Sequence, residues 1–142
     1  MKDSTTVARV PGGCELLSHR ACDDALFYGG DSHEDLGASM VNGMAVINTR
    51  LPAYTPIWVI VPDKSTAYLH PDKQFWAQAA ARSDTPNILV NFRQALRDKV
   101  IDLYPATNTH VSTTGYLRIG ELLLSQIRSI EQARPTGETQ SR

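Results

Sequence analysis

The run Ile57-Trp58-Val59-Ile60-Val61 is apolar at every position and is closed by Pro62-Asp63. A strand with one wet face alternates apolar and polar residues, so an unbroken apolar run of this length predicts a strand covered on both faces. Strands of that kind belong to parallel sheets held between helix layers. Two other short runs fit the same scheme. Ala25-Leu26-Phe27-Tyr28 stops at Gly29-Gly30, as a buried strand ending in a tight turn would, and Val100-Ile101-Asp102-Leu103 reads as a third strand.

The segments between these runs carry helical spacing. Leu36, Met40, Met44, Ile47 and Leu51 recur at three- and four-residue intervals, and Pro52 ends that stripe. Pro71 and Asp72 open a helix bearing Phe75, Trp76, Ala79 and Ala80, and a further helix carries Leu89, Phe92 and Leu96. Ser112 is placed to cap a long last helix, with Leu117, Leu123, Leu124, Ile127 and Ile130 expected on its inner side. Strands alternating with helices predict a three-layer α/β/α sandwich built on a small parallel sheet.

A chain of 142 residues supports one core and one domain. Both ends are polar and rich in Gly and Pro, so 1–13 is expected to be a flexible N-terminal segment, 14–132 the folded α/β unit and 133–142 a disordered tail. A formal net charge of −1 gives no electrostatic footprint for nucleic acid or for an anionic membrane surface. No apolar run approaches the roughly 18 residues a membrane span requires, and no apolar signal core follows Lys2. The expectation is a cytoplasmic protein as the sequence stands, and a periplasmic one if a longer precursor carried an export signal. Cys14 and Cys22 admit either a short disulfide or two thiols, with no second pair to complete a four-ligand zinc site. No metal or organic cofactor is implied.

Ligands of open α/β sheets bind beyond the carboxyl ends of the strands, so the polar residues that follow each strand matter most. Gly30-Asp31-Ser32 follows the first strand and opens a helix. A serine there is exposed on a sharp turn, with helix N-terminal N–H groups near a developing oxyanion; equally, Ser is a favoured helix cap. Asn108-Thr109-His110 follows the last expected strand. A serine hydroxyl is a weak nucleophile until a neighbouring base takes its proton, and histidine suits that work near neutral pH. His19 and His70 have no ligand-like partners, while His33 and Glu34 flank Ser32. Trp58 and Trp76 fall within apolar patterns and read as core.

Residues 25–131 resemble the SGNH, or GDSL, hydrolase superfamily. The strand followed by Gly30-Asp31-Ser32 and a helix is similar to its first block, and an early serine with a late histidine fits its order. Pro62-Asp63-Lys64, Tyr68, the run 100–103 and Asn108-Thr109-His110 through Gly115-Tyr116 are more similar to the SGNH-like domains of alginate O-acetylation proteins. That branch has a Pro-x-Lys turn, a Tyr and an Asp-x-His loop. The chain departs from the pattern in three ways: Asn108 stands where the branch has Asp, the Gly-x-Asn-Asp block is missing, and the serine block precedes the histidine block. The chain is also short, so the expected version is minimal or truncated.

The resemblance implies a serine-dependent acyl-ester hydrolase or O-acyltransferase, acting on a small-molecule or carbohydrate ester such as an acetyl ester. Ser32 would be the nucleophile, His110 the base and Asn108 the residue at the acid position, with Asp63 or Asp102 as alternative carboxylates. Gly30, Asp31, Asn42 and Gly43 are candidates for the oxyanion surroundings. Lys64 either holds a substrate carboxylate or is a solvated turn cation. The alternatives are a catalytically degenerate module that binds carbohydrate or protein, and a non-enzymatic flavodoxin-like fold in which Ser32 and His110 lie far apart.

Overall fold

The chain runs through β1 (Thr5–Arg9), α1 (Gly13–Leu16), β2 (Asp24–Tyr28), α2 (Ala38–Arg50), α3 (Lys64–Tyr68), α4 (Gln74–Ala80), α5 (Ile88–Arg97) and α6 (Thr113–Ala133). This is a computed structural model, and it describes residues 5–29, 38–72, 74–81 and 85–133. The Gly30–Gly37 segment, with Asp31, Ser32, His33 and Glu34, lies outside the described residues.

The expected parallel sheet and three-layer sandwich are corrected by the strand pairing. Among the described residues the sheet has two strands, β1 and β2, paired antiparallel from Thr5↔Tyr28 to Arg9↔Asp24. Ala25 and Phe27 alternate into the core, as the period of a strand requires. β1 comes from the segment expected to be flexible: its side chains are mostly exposed, so it carries little apolar signal and gains its order from pairing with β2.

The other two expected strands are irregular. In 57–61, Ile60 is buried while Val59 and Val61 are exposed at 42% and 39%, so the run is covered on one side, and among the described residues it has no ladder partner. In 100–103 the backbone turns, because Lys99 and Asp102 both have φ 56, the left-handed region that no strand can use. The Asp102 carboxylate holds that turn by accepting from Ser18 N–H at 2.9 Å and from the Ser18 hydroxyl.

The helices form where their spacing predicts, although of the described α2 stripe only Met44 is buried, with Met40 45%, Ile47 44% and Leu51 39% exposed. Met44 of α2 packs with Ile60, Phe75, Trp76, Ala79 and Leu89, so both tryptophan-bearing patterns contribute to core packing, and Trp58 donates from Nε1 to Asn48 Oδ1 at 2.8 Å. Phe92, Ala95 and Ile88 of α5 are fully buried against Leu103, Tyr104 and Ile119. Ser112 caps α6 as expected, its Oγ accepting from Gly115 N–H at 3.1 Å. The inner face of α6 is shifted, however: Gly115 and Ile119 are buried, whereas Leu117 is 66% and Leu124 54% exposed. Gly115 decides this. A Cβ there would stand 2.6 Å from Leu103 O and 2.5 Å from Val111 Cγ1, so the glycine lets the helix start touch the preceding loop and turns that face inward.

A disulfide joins Cys14 of α1 to Cys22, settling the question that the spacing left open. No helix of the described residues is long and apolar enough to cross a membrane.

Candidate functional site

The segment 105–110 lies alongside β2. Leu26 donates its N–H to Ala106 O at 2.7 Å and gives its C=O to Lys64 Nζ at 2.8 Å. In an antiparallel pair, alternate residues turn both backbone groups away from the partner strand, and Leu26 is such a residue. The 105–108 loop and a lysine side chain thus occupy the edge that a further strand would cover.

Lys64 is fully buried at the start of α3. Its Nζ lies 2.6 Å from Pro105 O, 3.2 Å from Ala106 O and 3.0 Å from Asn108 O, in addition to Leu26 O, and 5.0 Å from the centre of the Phe27 ring. The expected solvated turn cation is therefore corrected: the ammonium is spent on main-chain carbonyls. Burial pushes its pKa down to about 8, so it still carries its charge at neutral pH. The signal in the sequence was Pro62-Asp63-Lys64, but nothing in the spacing said that the lysine points inward. What turns it inward is Asp63, whose carboxylate N-caps α3 by accepting from Thr66 N–H at 2.6 Å, Thr66 Oγ1 at 2.8 Å and Ser65 Oγ at 2.7 Å. Tyr104, buried next to this junction, donates its hydroxyl to Pro62 O.

On the outer side of the same loop, Asn108 Oδ1 lies 2.9 Å from His110 N and 2.9 Å from His110 Nδ1. The first contact fixes the chemistry of the second. A backbone N–H only donates, so the amide atom facing it is the oxygen, and the ring nitrogen that shares this oxygen must carry the proton. Neutral His110 is then the Nδ1–H tautomer, with its lone pair on Nε2. Among the described residues Nε2 has no hydrogen-bond partner, and the side chain is exposed. An exposed imidazole with a fixed tautomer and an available Nε2 is equipped to accept a proton from a hydroxyl.

The two alternative carboxylates have structural partners of their own: Asp63 caps α3 and Asp102 binds Ser18. Asn42 and Gly43 lie exposed within α2. Their N–H groups belong to the helix ladder, which leaves only the Asn42 side chain to act on a ligand. Gly30, Asp31 and Ser32 lie outside the described residues. Among the described residues no group of three His, Cys, Asp or Glu side chains converges to hold a metal ion. A separate cavity of about 310 Å³ is bounded by residues including Val10, Leu16, Tyr68, Arg93 and Arg97, and His110 does not line it.

Comparison with known protein families, curated proteins and solved structures finds no match to this chain.

Proposed function

We propose that the protein is a serine-dependent hydrolase or acyltransferase of acyl esters, with Ser32 as nucleophile, His110 as base and Asn108 as the amide that orients the base. The observation that carries this reading is the Asn108–His110 pair, which holds the Nδ1–H tautomer at the surface. It is supported by the backbone and Lys64 bonds that tie this loop to β2, the strand from which the chain runs into Gly30-Asp31-Ser32.

In the proposed reaction, His110 Nε2 takes the proton of the Ser32 hydroxyl as Oγ attacks the ester carbonyl carbon. The carbonyl π electrons move to oxygen, and their return breaks the bond to the leaving alkoxide, which takes the proton from Nε2. The acyl-enzyme is then attacked by water or by a sugar hydroxyl, whose proton passes to Nε2 and on to Ser32 Oγ as that residue leaves. An acetyl ester of a carbohydrate is the substrate class proposed.

A fluorophosphonate probe is expected to label Ser32, and Ser32→Ala to abolish both labelling and hydrolysis of a short acyl ester. Undiminished hydrolysis in that variant would overturn the assignment. The amide at position 108 also favours a second reading, a module that binds carbohydrate without chemistry, because an amide cannot stabilise the imidazolium by charge. Carbohydrate binding by a folded protein that takes no label would support it.

A further inference from the structure

We propose that Lys64 is a positioning residue for the candidate site, one that sets the conformation of the loop presenting His110 by drawing the carbonyls of Pro105, Ala106 and Asn108 onto a single buried ammonium. The inference concerns the site named above, but it holds whether that site hydrolyses esters or only binds.

A buried ammonium with no paired carboxylate is a poor way to fill a core. Among the described residues no acidic side chain is bonded to Lys64, and an apolar side chain of similar length would avoid the cost of stripping water from a charge. What the ammonium adds is direction. Its three N–H groups radiate from one atom, so peptide carbonyls from 105, 106 and 108 must turn inward to meet it, together with Leu26 O of β2. Arginine, with a planar fork, has no such convergent geometry.

The result is visible at Asn108. Its main-chain oxygen faces in, 3.0 Å from Lys64 Nζ, and its side-chain oxygen faces out, 2.9 Å from both His110 N and Nδ1. The peptide that anchors the loop therefore belongs to the residue that fixes the imidazole. Release of the carbonyl would free the peptide to rotate, and the side chain with it. Because Leu26 O shares the same ammonium, Lys64 also sets the spacing between this loop and the strand leading to Ser32.

The test uses the full chain labelled with ¹⁵N-histidine, reading the tautomer of His110 from long-range ¹H–¹⁵N correlations. The wild type should show Nδ1–H as the main neutral form, and Lys64→Met should lower the ratio of Nδ1–H to Nε2–H by about tenfold, the worth of one net hydrogen bond. Ile119→Val, which trims a core residue away from the carbonyls, should leave the ratio unchanged. A folded Lys64→Met protein with the wild-type ratio, a wild type without the Nδ1–H form, or an equal change in Ile119→Val overturns the proposal. Where Lys64→Met does not fold, Lys64→Ala refolded with propylammonium decides. Recovery of fold and tautomer with propylammonium but not with 1-propanol supports the proposal, and recovery with both or with neither overturns it. A tautomer change in Lys64→Met alongside a wild type that takes no fluorophosphonate label upholds the positioning role and rejects the hydrolase reading.

Discussion

At the scale of residues, the described part of the protein combines a buried cation bonded to carbonyls and a base bonded to an amide, with no carboxylate on either among the described residues. Burial lowers Lys64 from 10.5 to about 8, so between these values the unfolded chain keeps a proton that the folded chain has released. Stability therefore rises with pH across that window, and the full cost of the buried charge is present below about pH 8. Tyr68 works in the opposite direction at higher pH: burial raises it to about 12, so its contribution is complete below pH 10 and is lost as pH rises through 12. Urea denaturation of the wild type and of a folded Lys64→Met protein isolates the lysine, because Tyr68 is common to both. The difference is expected to shift in favour of the wild type by about 1–3 kcal/mol between pH 8 and pH 10. A flat difference would place the ammonium in a better solvated setting than full burial implies.

Asn108 makes the second prediction at this scale. It orients His110 but adds no charge, and loss of the triad carboxylate costs a serine protease about 10⁴ in rate. Asn108→Asp should therefore accelerate ester hydrolysis by at least about tenfold, since a carboxylate on Nδ1–H stabilises the imidazolium formed during attack. Rates for Asn108→Asp, Asp63→Ala and Asp102→Ala, measured on proteins shown to be folded, check this. A rate unchanged in Asn108→Asp but largely lost in Asp63→Ala or Asp102→Ala would assign the acid elsewhere.

At the scale of elements, the start of α6 decides how the histidine loop is closed. Ser112 N–H donates to Leu103 O at 3.0 Å and its hydroxyl to Asp102 O, while Gly115 brings the first helical turn against that same Leu103 carbonyl. A methyl group at Gly115 meets the Leu103 backbone carbonyl as well as the Val111 side chain, and the carbonyl, fixed in the main chain, cannot simply rotate away. Gly115→Ala is expected to destabilise the fold by about 1–3 kcal/mol, read from thermal melting. Gly120→Ala, in the same helix with nothing within 4 Å of the added carbon, is the matched control and should be neutral or slightly stabilising. The shifted face of α6 has its origin here. Leu117 and Leu124 satisfy a helical period as well as Ile119 does, and only contact with the 103–112 loop selects between the two faces.

At the scale of the whole molecule, residues 5–29 contain one antiparallel pair and one covalent link within a single short stretch of chain. The Cys14–Cys22 bridge spans 8 positions, and closing so short a loop restricts the unfolded chain by about 2–3 kcal/mol. Reduction with dithiothreitol is expected to lower the Tm by roughly 5–12 °C. An unchanged Tm would mean that the β1–β2 pairing and the packing of Val10, Leu17 and Phe27 suffice without the link.

Local sequence determined the elements whose signal lies within one stretch of chain. Helical spacing, with Pro52, Pro71 and Ser112 beside it, marked α2, α4, α5 and α6, the short apolar run 25–28 stopping at Gly29-Gly30 marked β2, and Asn108-Thr109-His110 marked the paired amide and imidazole, because an Asx turn needs only two residues of separation. Partnerships between distant segments were decided only by the tertiary structure. Whether 57–61 joins a sheet depends on a neighbouring strand, and the turn at Asp102 depends on Ser18, 84 positions away. Lys64 reads as a surface cation until β2 and the 105–108 loop bring four carbonyls around it, with sequence separations of 38 to 44. Periodicity reports which residues share a face of an element, but the groups that meet that face are set by packing across the fold, and a charge is retained in the interior only where such groups converge on it.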